Sequence, residues 1–421
     1  MNEDKVVAFR NPEGGIGDPL TELLRNGAQR LIQQAVESEL SEYLARQAGA
    51  RDAEGRAAVV RNGYQPEREV LTGIGPVKVK VPKVRGRDGQ GAVFHSALVP
   101  PYVRKAKAVE AALPWLYLKG ISSGQLQEAL GVLVGPQARG LSASVLSRLK
   151  TEWQAEYQAW RERALHKDRW VYLWTDGIYS GLRAEAQRLC VLVVIGVNER
   201  GEKHLLALED GVRESTQSWR EVLLKLKARG LTLAPKLAVG DGALGFWAAL
   251  EEIYPETRAQ RCWVHKMANV LNYLPKSVQP KAKQALQEIW MAPSRAVAHQ
   301  AFALFLETYQ AKYPKATECL QKDRDALLGF YDFPAEHWPH IRTSNPIESC
   351  FATIRHRTQQ TQGCSSRLTL LTMMFKLGVC AEKRWRRIRG FHYLAKVITG
   401  VRFTDGIEVT ENGLQESRSA A

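Results

Sequence analysis

The first part of the chain shows helical and strand-like patterns of apolar residues in turn. Leu20, Leu24 and Leu31 recur near one face, and this spacing predicts a helix that ends near Gln47. Valines then alternate with lysines after the turn at residues 73–76, which predicts a β-hairpin with one basic face. Lys78 and Lys80 form that face and are candidates for contact with a polyanion.

A second helical stretch covers residues 102–165. Within it, residues 120–150 contain two short helix patterns joined by a glycine-containing loop, similar to a helix-turn-helix. In that interpretation Arg148 and Lys150 contact phosphates or bases. A plain helical bundle fits the pattern equally well, because the motif has no strict spacing here.

From Arg169 onwards the pattern changes to long apolar runs, which are typical of strands buried on both faces of a sheet. A helix capped by Ser215 follows the third run, and another helix follows the fourth. The resulting order β-β-β-α-β-α-β is typical of an RNase H-like domain. The predicted strands cover residues 170–175, 189–197, 203–208, 236–239 and 258–261.

The remainder of the chain has no strand pattern. Residues 266–335 carry only helical spacing, and residues 340–395 predict two or three basic helices. A length of 421 residues favours two to four folded units. No apolar run reaches about 18 residues, so we expect no membrane span. The N-terminus lacks the apolar segment of a secretory signal, and the six cysteines lack framework spacing, so we expect a cytosolic protein with reduced thiols.

The charge of the chain indicates a nucleic acid partner. Lys and Arg number 59 against 44 Asp and Glu, a net charge of +15. Cations that contact phosphates release counterions, so DNA or RNA is the leading partner. A basic protein without such a role is the alternative, but clustering of the charge argues against it. Further candidate DNA contacts in the basic C-terminal run are Arg355, Arg357, Arg384, Arg386 and Arg387.

Two aspartates come directly after predicted buried strands, and each is followed by glycine. Asp176 follows the first strand and Asp241 follows the fourth. A single Asp-Gly usually marks only a turn. In the RNase H-like order, however, the first and fourth strands are neighbours, so both carboxylates reach one edge of the sheet. We interpret both as catalytic residues and metal ligands.

Glu348 is the candidate for a third carboxylate, supplied by a later helix. It stands three residues after Asn345, where a glutamate commonly completes a capping box. Capping and metal binding would compete for the same oxygens, so if Glu348 binds metal, Asn345 caps the helix alone. Arg355 falls near the same helical stripe and would face phosphate.

Three carboxylates suit Mg²⁺, which prefers oxygen ligands and keeps several water molecules. Two such ions about 4 Å apart activate a nucleophile and stabilise the departing 3′ oxygen in phosphoryl transfer. The sequence therefore predicts two Mg²⁺ ions held by Asp176, Asp241 and Glu348, with Mn²⁺ as a substitute.

Cys262 and His265 follow the last predicted strand in a Cys-x-x-His arrangement, which is half of a zinc site. No second pair with finger-like spacing follows, so we favour a lining role in which His265 orients a phosphate or a metal-bound water. A hydrogen-bonded core histidine fits equally well. Trp338 is interpreted as a core residue, with stacking on a displaced DNA base as the alternative.

Several of these segments together resemble the Mutator-type transposases, a bacterial insertion-sequence family. The resemblance extends from about Arg61 to Arg389. The chain departs from the family after the glutamate, where Ser349-Cys-Phe351 stands in place of Arg-x-Asn. The most specific segments are TDGIYSGLR (175–183), ESTQSWREVLLKLKARGL (214–231), VGDGALGFWAAL (239–250), QRCWVHKMANVL (260–271) and RTSNPIESCFATIRHRT (342–358).

This resemblance implies a DDE triad, which maps onto Asp176, Asp241 and Glu348, and an all-helical insertion before the glutamate. It also matches Cys262 and His265 to a pair that follows the last strand in the family. Its further implications are binding of terminal inverted repeats by the N-terminal region, Mg²⁺-dependent cleavage and strand transfer into target DNA, and action as a dimer or higher multimer. We expect such a protein at the nucleoid of a bacterial cytoplasm.

The expected fold class is α/β. An RNase H-like mixed-sheet catalytic domain with an all-helical insertion follows a mostly helical DNA-binding region that contains a small β-hairpin. The predicted segments are an N-terminal helical region (1–60), a basic hairpin segment (61–100), a helix-turn-helix-like region (101–166), the catalytic domain in two parts (167–265 and 336–400), the helical insertion (266–335) and a tail (401–421).

Three functions stay open at this point. The first is an active transposase, and the second is a DNA-binding relative with a dead catalytic site. The third is an RNase H-like nuclease that cleaves without strand transfer. Intact candidates at all three triad positions favour an active enzyme, and the long N-terminal region favours the transposase.

Overall fold

Contacts within the chain divide it into two units, residues 1–149 and residues 150–421. In this computed structural model, no helix of the described residues is long and apolar enough to cross a membrane. The structure describes residues 19–87, 91–118, 121, 130, 143–182, 185–211, 213–344, 347 and 366–409.

The first unit packs a long helix against a small hairpin. Strands β2 and β3 pair antiparallel, and β1 pairs with β4. Val77 and Val79 are buried in the same apolar cluster as Val36 and Leu40 of the helix. This packing confirms the predicted hairpin with one apolar and one polar face. The elements are α1 (Pro19–Arg46), β1 (Val59–Tyr64), β2 (Arg68–Thr72), β3 (Gly75–Val79), β4 (Pro82–Gly86) and α2 (Lys107–Leu118).

The second unit is built on a mixed sheet of five strands. The order across the sheet is β7-β6-β5-β8-β9. Strands β7, β6 and β5 are antiparallel neighbours, whereas β5, β8 and β9 run parallel. All five predicted strands are present. The elements from α3 onwards are α3 (Ala143–Glu162), β5 (Trp170–Leu182), β6 (Glu185–Asn198), β7 (Lys203–Gly211), α4 (Thr216–Ala228), β8 (Leu237–Gly240), α5 (Leu244–Ile253) and β9 (Arg258–Arg261).

Helices cover both faces of this sheet, as the unbroken apolar strands predict. On one face, Trp219 of α4 and Phe246 of α5 pack edge to face, with ring centroids 5.0 Å apart. On the other face, Tyr172 of β5 hydrogen-bonds His337 Nδ1 at 2.8 Å, and Trp174 donates to the His340 carbonyl at 3.0 Å. Both hydrogen bonds tie β5 to the segment around α11 shortly before Asp176.

The segment after β9 is helical, and no strand occurs in residues 266–335, which confirms that prediction. Trp338 is half-buried, packs against Phe330 and Tyr331 and donates to the Phe333 carbonyl at 2.8 Å, so its contacts favour the packing role. The helices are α6 (Trp263–Leu271), α7 (Gln279–Trp290), α8 (Arg295–Tyr309), α9 (Pro314–Gln321), α10 (Arg324–Leu327) and α11 (Trp338–Ile341), with 3₁₀ turns at Gly329–Asp332 and Ala335–His337.

Among the described residues, the prediction of helices over residues 340–395 is confirmed in part, but the long helix there is not basic, since its charged residues are Arg367, Lys376 and Glu382. Helix α12 (Arg367–Glu382) packs on β7, where Gly378 lies against Leu205, and much of its surface is buried. The arginines that follow lie in an irregular segment that precedes a 3₁₀ turn and α13 (Leu394–Thr399). A short hairpin, β10 (Phe403–Thr404) and β11 (Ile407–Glu408), comes next and was not predicted.

Candidate active site

Strand pairing brings Asp176 and Asp241 to one edge of the sheet. Strand β8 pairs parallel with β5 up to Val239 opposite Trp174, and two further residues on each strand lead to Asp241 and Asp176. The prediction that β5 ends at Asp176 is wrong. The strand continues to Leu182, because the neighbouring β6 pairs with it along this whole length. Asp176 therefore projects from a strand held on one side only, and 8% of it is exposed.

Asp241 is held by a local turn and by two long side chains. Its Oδ1 atom accepts a hydrogen bond from the backbone nitrogen of Ala243 at 2.9 Å, an arrangement typical of aspartate turns. Its carbonyl accepts from Trp247 Nε1 at 3.0 Å and from the Arg261 guanidinium. The turn fixes the direction of the Asp241 carboxylate before helix α5 begins.

Glu214 is a further carboxylate at this edge, and the sequence interpretation missed it. It lies between β7 and α4, directly before the cap Ser215. Burial, followed by the charges of Asp241 and Asp176, raises the pKa of Glu214 to about 7. The sequence shows only that Glu214 stands before the predicted helix α4. That position does not indicate whether the side chain is buried.

Cys262, His265 and Ser344 form a hydrogen-bonded group beside these carboxylates. Ser344 donates to Cys262 Sγ from its backbone nitrogen and from its hydroxyl, both at 3.2 Å. The Ser344 hydroxyl also lies 3.3 Å from His265 Nδ1. The hydrogen bond with Cys262 raises the pKa of His265 to about 9, and the charges of Asp176 and Asp241 add to that effect.

The pKa of the Cys262 thiol shifts in the opposite direction. Burial opposes its ionisation, but hydrogen bonds from His265 and Ser344 and the charge of His265 outweigh burial, so the pKa of Cys262 lies below its ordinary value. Both shifts favour an ion pair of a protonated His265 and a Cys262 thiolate next to the carboxylate edge. A protonated imidazole donates hydrogen bonds from both ring nitrogens, which suits the predicted role of orienting phosphate.

Four predicted site residues, Asn345, Glu348, Arg355 and Arg357, lie outside the described residues. Their described neighbours are Ser344 and Ile347, and both are buried. Within the described parts of the chain, no group of three or more His, Cys, Asp or Glu side chains is arranged to hold a metal ion by itself.

The predicted DNA contacts that the structure describes lie on the surface, apart from half-buried Lys150. Lys78 and Lys80 are exposed on the hairpin, and their ammonium groups lie 3.7 and 3.6 Å from the Glu67 carboxylate. Arg148 and Lys150 belong to α3. Arg384, Arg386 and Arg387 are exposed after α12, and Arg387 pairs with Glu202 at 2.7 Å.

A second charged group lies behind the Asp241 turn and has a different character. Lys266 and Arg261 are 4% and 8% exposed, and both pair with the Asp323 carboxylate. Lys266 also donates to the Cys319 carbonyl at 2.9 Å. Burial opposes ionisation of Asp323, but the Lys266 hydrogen bond and the Arg261 charge outweigh it, so the pKa of Asp323 is lowered.

Comparison with known families and relatives gives a consistent result. The chain matches the family model described as "Transposase, Mutator family" over residues 4–384. It is 53% identical over 296 residues to the transposase for insertion sequence element IST2 of Acidithiobacillus ferrooxidans, covering 70% of this chain and 100% of that protein. The transposase for insertion sequence element IS6120 of Mycolicibacterium smegmatis is 49% identical over 294 residues, or 70% of this chain and 90% of that one.

A more distant relative is similar over a longer part of the chain. The transposase for insertion sequence element ISRM5 of Rhizobium meliloti (strain 1021) is 28% identical over 386 residues, covering 90% of this chain and 91% of that protein. Among solved structures, the Drosophila P element transposase strand transfer complex aligns over 71% of this chain and 89% of that chain, at 8% identity and a TM-score of 0.27. That likeness is too low to bear on the fold.

Proposed function

The chain belongs to the Mutator family of transposases, and we propose from this that it is a DDE transposase with an RNase H-like catalytic domain. In this proposal it binds the terminal inverted repeats of its insertion sequence, cleaves DNA strands and joins the 3′-OH ends to target DNA. Asp176, Asp241 and Glu348 are the proposed triad.

One observation carries this proposal: the strand register that sets Asp176 beside Asp241. The two residues lie 65 positions apart in the chain, yet adjacent parallel strands bring them to the same edge of the sheet. The order β7-β6-β5-β8-β9, with three antiparallel strands followed by two parallel ones, is what an RNase H-like domain requires. Carboxylates at this edge are suited to metal-assisted phosphoryl transfer.

The residues at this edge fit a hard divalent cation. The donors are carboxylate oxygens, which Mg²⁺ and Mn²⁺ prefer. One of them, Glu214 Oε2, is buried without a hydrogen-bond partner among the described residues. Two bound Mg²⁺ ions would supply an activated nucleophile and stabilisation of the leaving 3′ oxygen. Asp176 and Asp241 would hold them together with Glu348.

The position of Ser344 supports Glu348 as the third ligand. Ser344 is tied to Cys262 and His265, and His265 is close enough to both aspartates for their charges to raise its pKa. Glu348 follows Ser344 by four residues, which span at most about 14 Å of extended chain. We propose that this link carries the glutamate to the carboxylate edge, and that His265 orients a phosphate there.

The basic surfaces support DNA as the substrate. Lys78 and Lys80 in the first unit, and Arg384 and Arg386 in the second, are exposed cations of the kind that contact phosphate. We propose that the first unit recognises the terminal repeats and that the enzyme acts as a dimer or higher multimer at the nucleoid of the bacterial cytoplasm.

A strand cleavage and joining assay tests this function. Purified protein is mixed with labelled DNA that carries the flanking repeats, with Mg²⁺, with Mn²⁺ or with neither. We expect metal-dependent nicking at the repeat end and joining of the new 3′ end, and loss of both in Glu348→Gln.

Each of three other outcomes of the same assay would contradict part of the proposal. Tight binding of repeat DNA without cleavage would identify an inactive DNA-binding relative. Cleavage without joining would identify a nuclease that lacks strand transfer. Full activity of Glu348→Gln would show that this glutamate only caps its helix and that another carboxylate completes the site.

A further inference from the structure

Two glycines make room for Glu214 at the edge of the sheet. A Cβ atom built on Gly177, the residue after Asp176, would overlap the Glu214 carboxyl group. A Cβ atom on Gly245, in the first turn of α5 after Asp241, would overlap the backbone carbonyl of Glu214. The glutamate is therefore seated between β5, which carries Asp176, and the start of α5, which follows Asp241, and larger residues at either glycine would displace it.

The Glu214 carboxylate is costly to bury where it lies. The Tyr179 side chain supplies one hydrogen bond to this carboxylate. The Oε2 atom, however, is buried and has no hydrogen-bond partner among the described residues. The nearby charges include two aspartates of the same sign, partly balanced by His265. A buried negative charge in such surroundings is unfavourable unless a cation or a proton compensates it.

Glu214 is not needed as a cap of the helix that follows it. Acidic residues beside a helix N-terminus often stabilise the helix. Here the Ser215 hydroxyl already accepts the hydrogen bond from the Ser218 backbone nitrogen at 3.2 Å, so α4 is capped without Glu214. The Glu214 side chain instead lies against Gly177 of β5.

We propose that Glu214 is a positioning residue of the catalytic cation site, where its carboxylate binds a hydrated divalent cation through water beside Asp176 and Asp241. Contact through water agrees with the absence of a direct three-ligand group among the described residues. It also agrees with the tendency of Mg²⁺ to keep several water molecules. This inference rests on the proposed function, because it assigns Glu214 to the same cation.

A measurement of Mn²⁺ binding tests this inference separately from the proposed function. Binding to the full-length protein is measured by electron paramagnetic resonance, without DNA, for the wild type, Glu214→Gln and Glu221→Gln. Glu221 is a matched control, since it is exposed on α4 and bonds only Gln217 among the described side chains. We expect about 10- to 100-fold weaker binding for Glu214→Gln, the usual cost of losing an outer partner of a metal site, and no change for Glu221→Gln.

The Mn²⁺ affinity of Glu214→Asp is a second measurement, which distinguishes cation binding from a purely structural role. It keeps the charge, so we expect it to recover part of the Mn²⁺ affinity, while thermal melting checks that all variants fold. Wild-type affinity in a folded Glu214→Gln would overturn the inference and leave the proposed function intact. Failure of the wild type to bind Mn²⁺ would instead count against the proposed function.

Gly177→Ala tests the same inference from the other side of the contact. An added methyl group must push the Glu214 carboxyl group aside, so we expect weaker Mn²⁺ binding by a similar factor. Combined with Glu214→Gln, it should cause little further loss, because both changes remove the same interaction. A loss in the double variant equal to the product of the two single losses would show that Gly177 acts independently of Glu214, against the inference.

Discussion

Glu214 and Asp323 are two half-buried carboxylates of the same unit, yet their surroundings are opposite. Asp323 has two buried cationic partners, Lys266 and Arg261, and its pKa is lowered. Glu214 lies near two aspartates, one of its oxygens has no partner among the described residues, and its pKa is raised to about 7 by burial and by those charges. One carboxylate is neutralised within the fold, and the other is suited to a cation from outside.

This difference separates structural acids from candidate functional ones more clearly than sequence position does. A buried carboxylate with its own lysine and arginine stabilises the fold and needs nothing further. A carboxylate that like charges surround is costly in the free protein, and such groups concentrate at functional sites. The following predictions test each side of the comparison, in order of decreasing effect.

Loss of either aspartate should abolish the chemistry. For Asp176→Asn and Asp241→Asn we expect strand cleavage to fall by more than about 100-fold, beyond the usual loss for an outer partner. Single-turnover cleavage of repeat-end DNA measures the effect. Asp325→Asn, whose side chain is 92% exposed, is the matched control and should cleave normally. Near-normal cleavage by either site variant would remove that aspartate from the site.

Asp323→Asn should affect stability before it affects chemistry. Lys266 and Arg261 would lose the charge that compensates them, and breaking a buried pair costs about 3–5 kcal/mol in the free energy of unfolding. Denaturant unfolding followed by tryptophan fluorescence measures the loss. Glu252→Gln breaks the exposed pair with Arg220 and should cost about 0–1 kcal/mol. Equal losses in the two variants would contradict the distinction between buried and surface pairs.

The stabilisation that Asp323 provides should decrease when the pH falls. Its folded-state pKa lies below the ordinary 3.8, so its contribution is complete above that value and is lost as the pH falls through the folded pKa. We therefore expect the stability difference between wild type and Asp323→Asn to be constant near neutral pH and to shrink below about pH 4. If the stability difference instead grew on acidification, the pKa of Asp323 would not be lowered in the folded protein.

Ser215→Ala should produce the smallest effect. Loss of this helix cap costs about 1 kcal/mol, and Mn²⁺ affinity should fall less than in Glu214→Gln, because Gly177 and Gly245 still hold the glutamate. Ser294→Ala removes the equivalent cap of α8, where the Ser294 hydroxyl accepts from Val297, and serves as the control. A larger loss of Mn²⁺ affinity than in Glu214→Gln would show that the cap, and not the carboxylate, maintains the site.

Much of the sheet could be predicted because its strands are long and apolar and its turns are short. The end of β5 could not. Gly177 after Asp176 looks like a turn locally, but pairing with β6 extends the strand, and such tertiary contacts commonly override local preference. The same extension sets Gly177 opposite Glu214, a contact between residues of different elements that no local pattern contains.

The meeting of the two aspartates at one edge could be predicted because each follows an apolar run in a recognisable strand order. Glu214 could not, since an acid before a capped helix is common at the surface and its burial depends on the Gly177 and Gly245 contacts. Asp323 likewise follows Lys266 by 57 residues and reaches it only through helix packing. Glu348 lies outside the described residues and stays a prediction.

Cleavage of the polypeptide by bound Fe²⁺ tests the central comparison most directly. Fe²⁺ in place of Mg²⁺, with ascorbate and peroxide, cuts the backbone next to the metal, and mass spectrometry of the fragments locates the cuts. The account predicts cuts near Asp176, Glu214 and Asp241 that excess Mg²⁺ suppresses, and none near Asp323. Cuts at Asp323, or no cuts at the three carboxylates at an Fe²⁺ concentration that supports DNA cleavage, would contradict it.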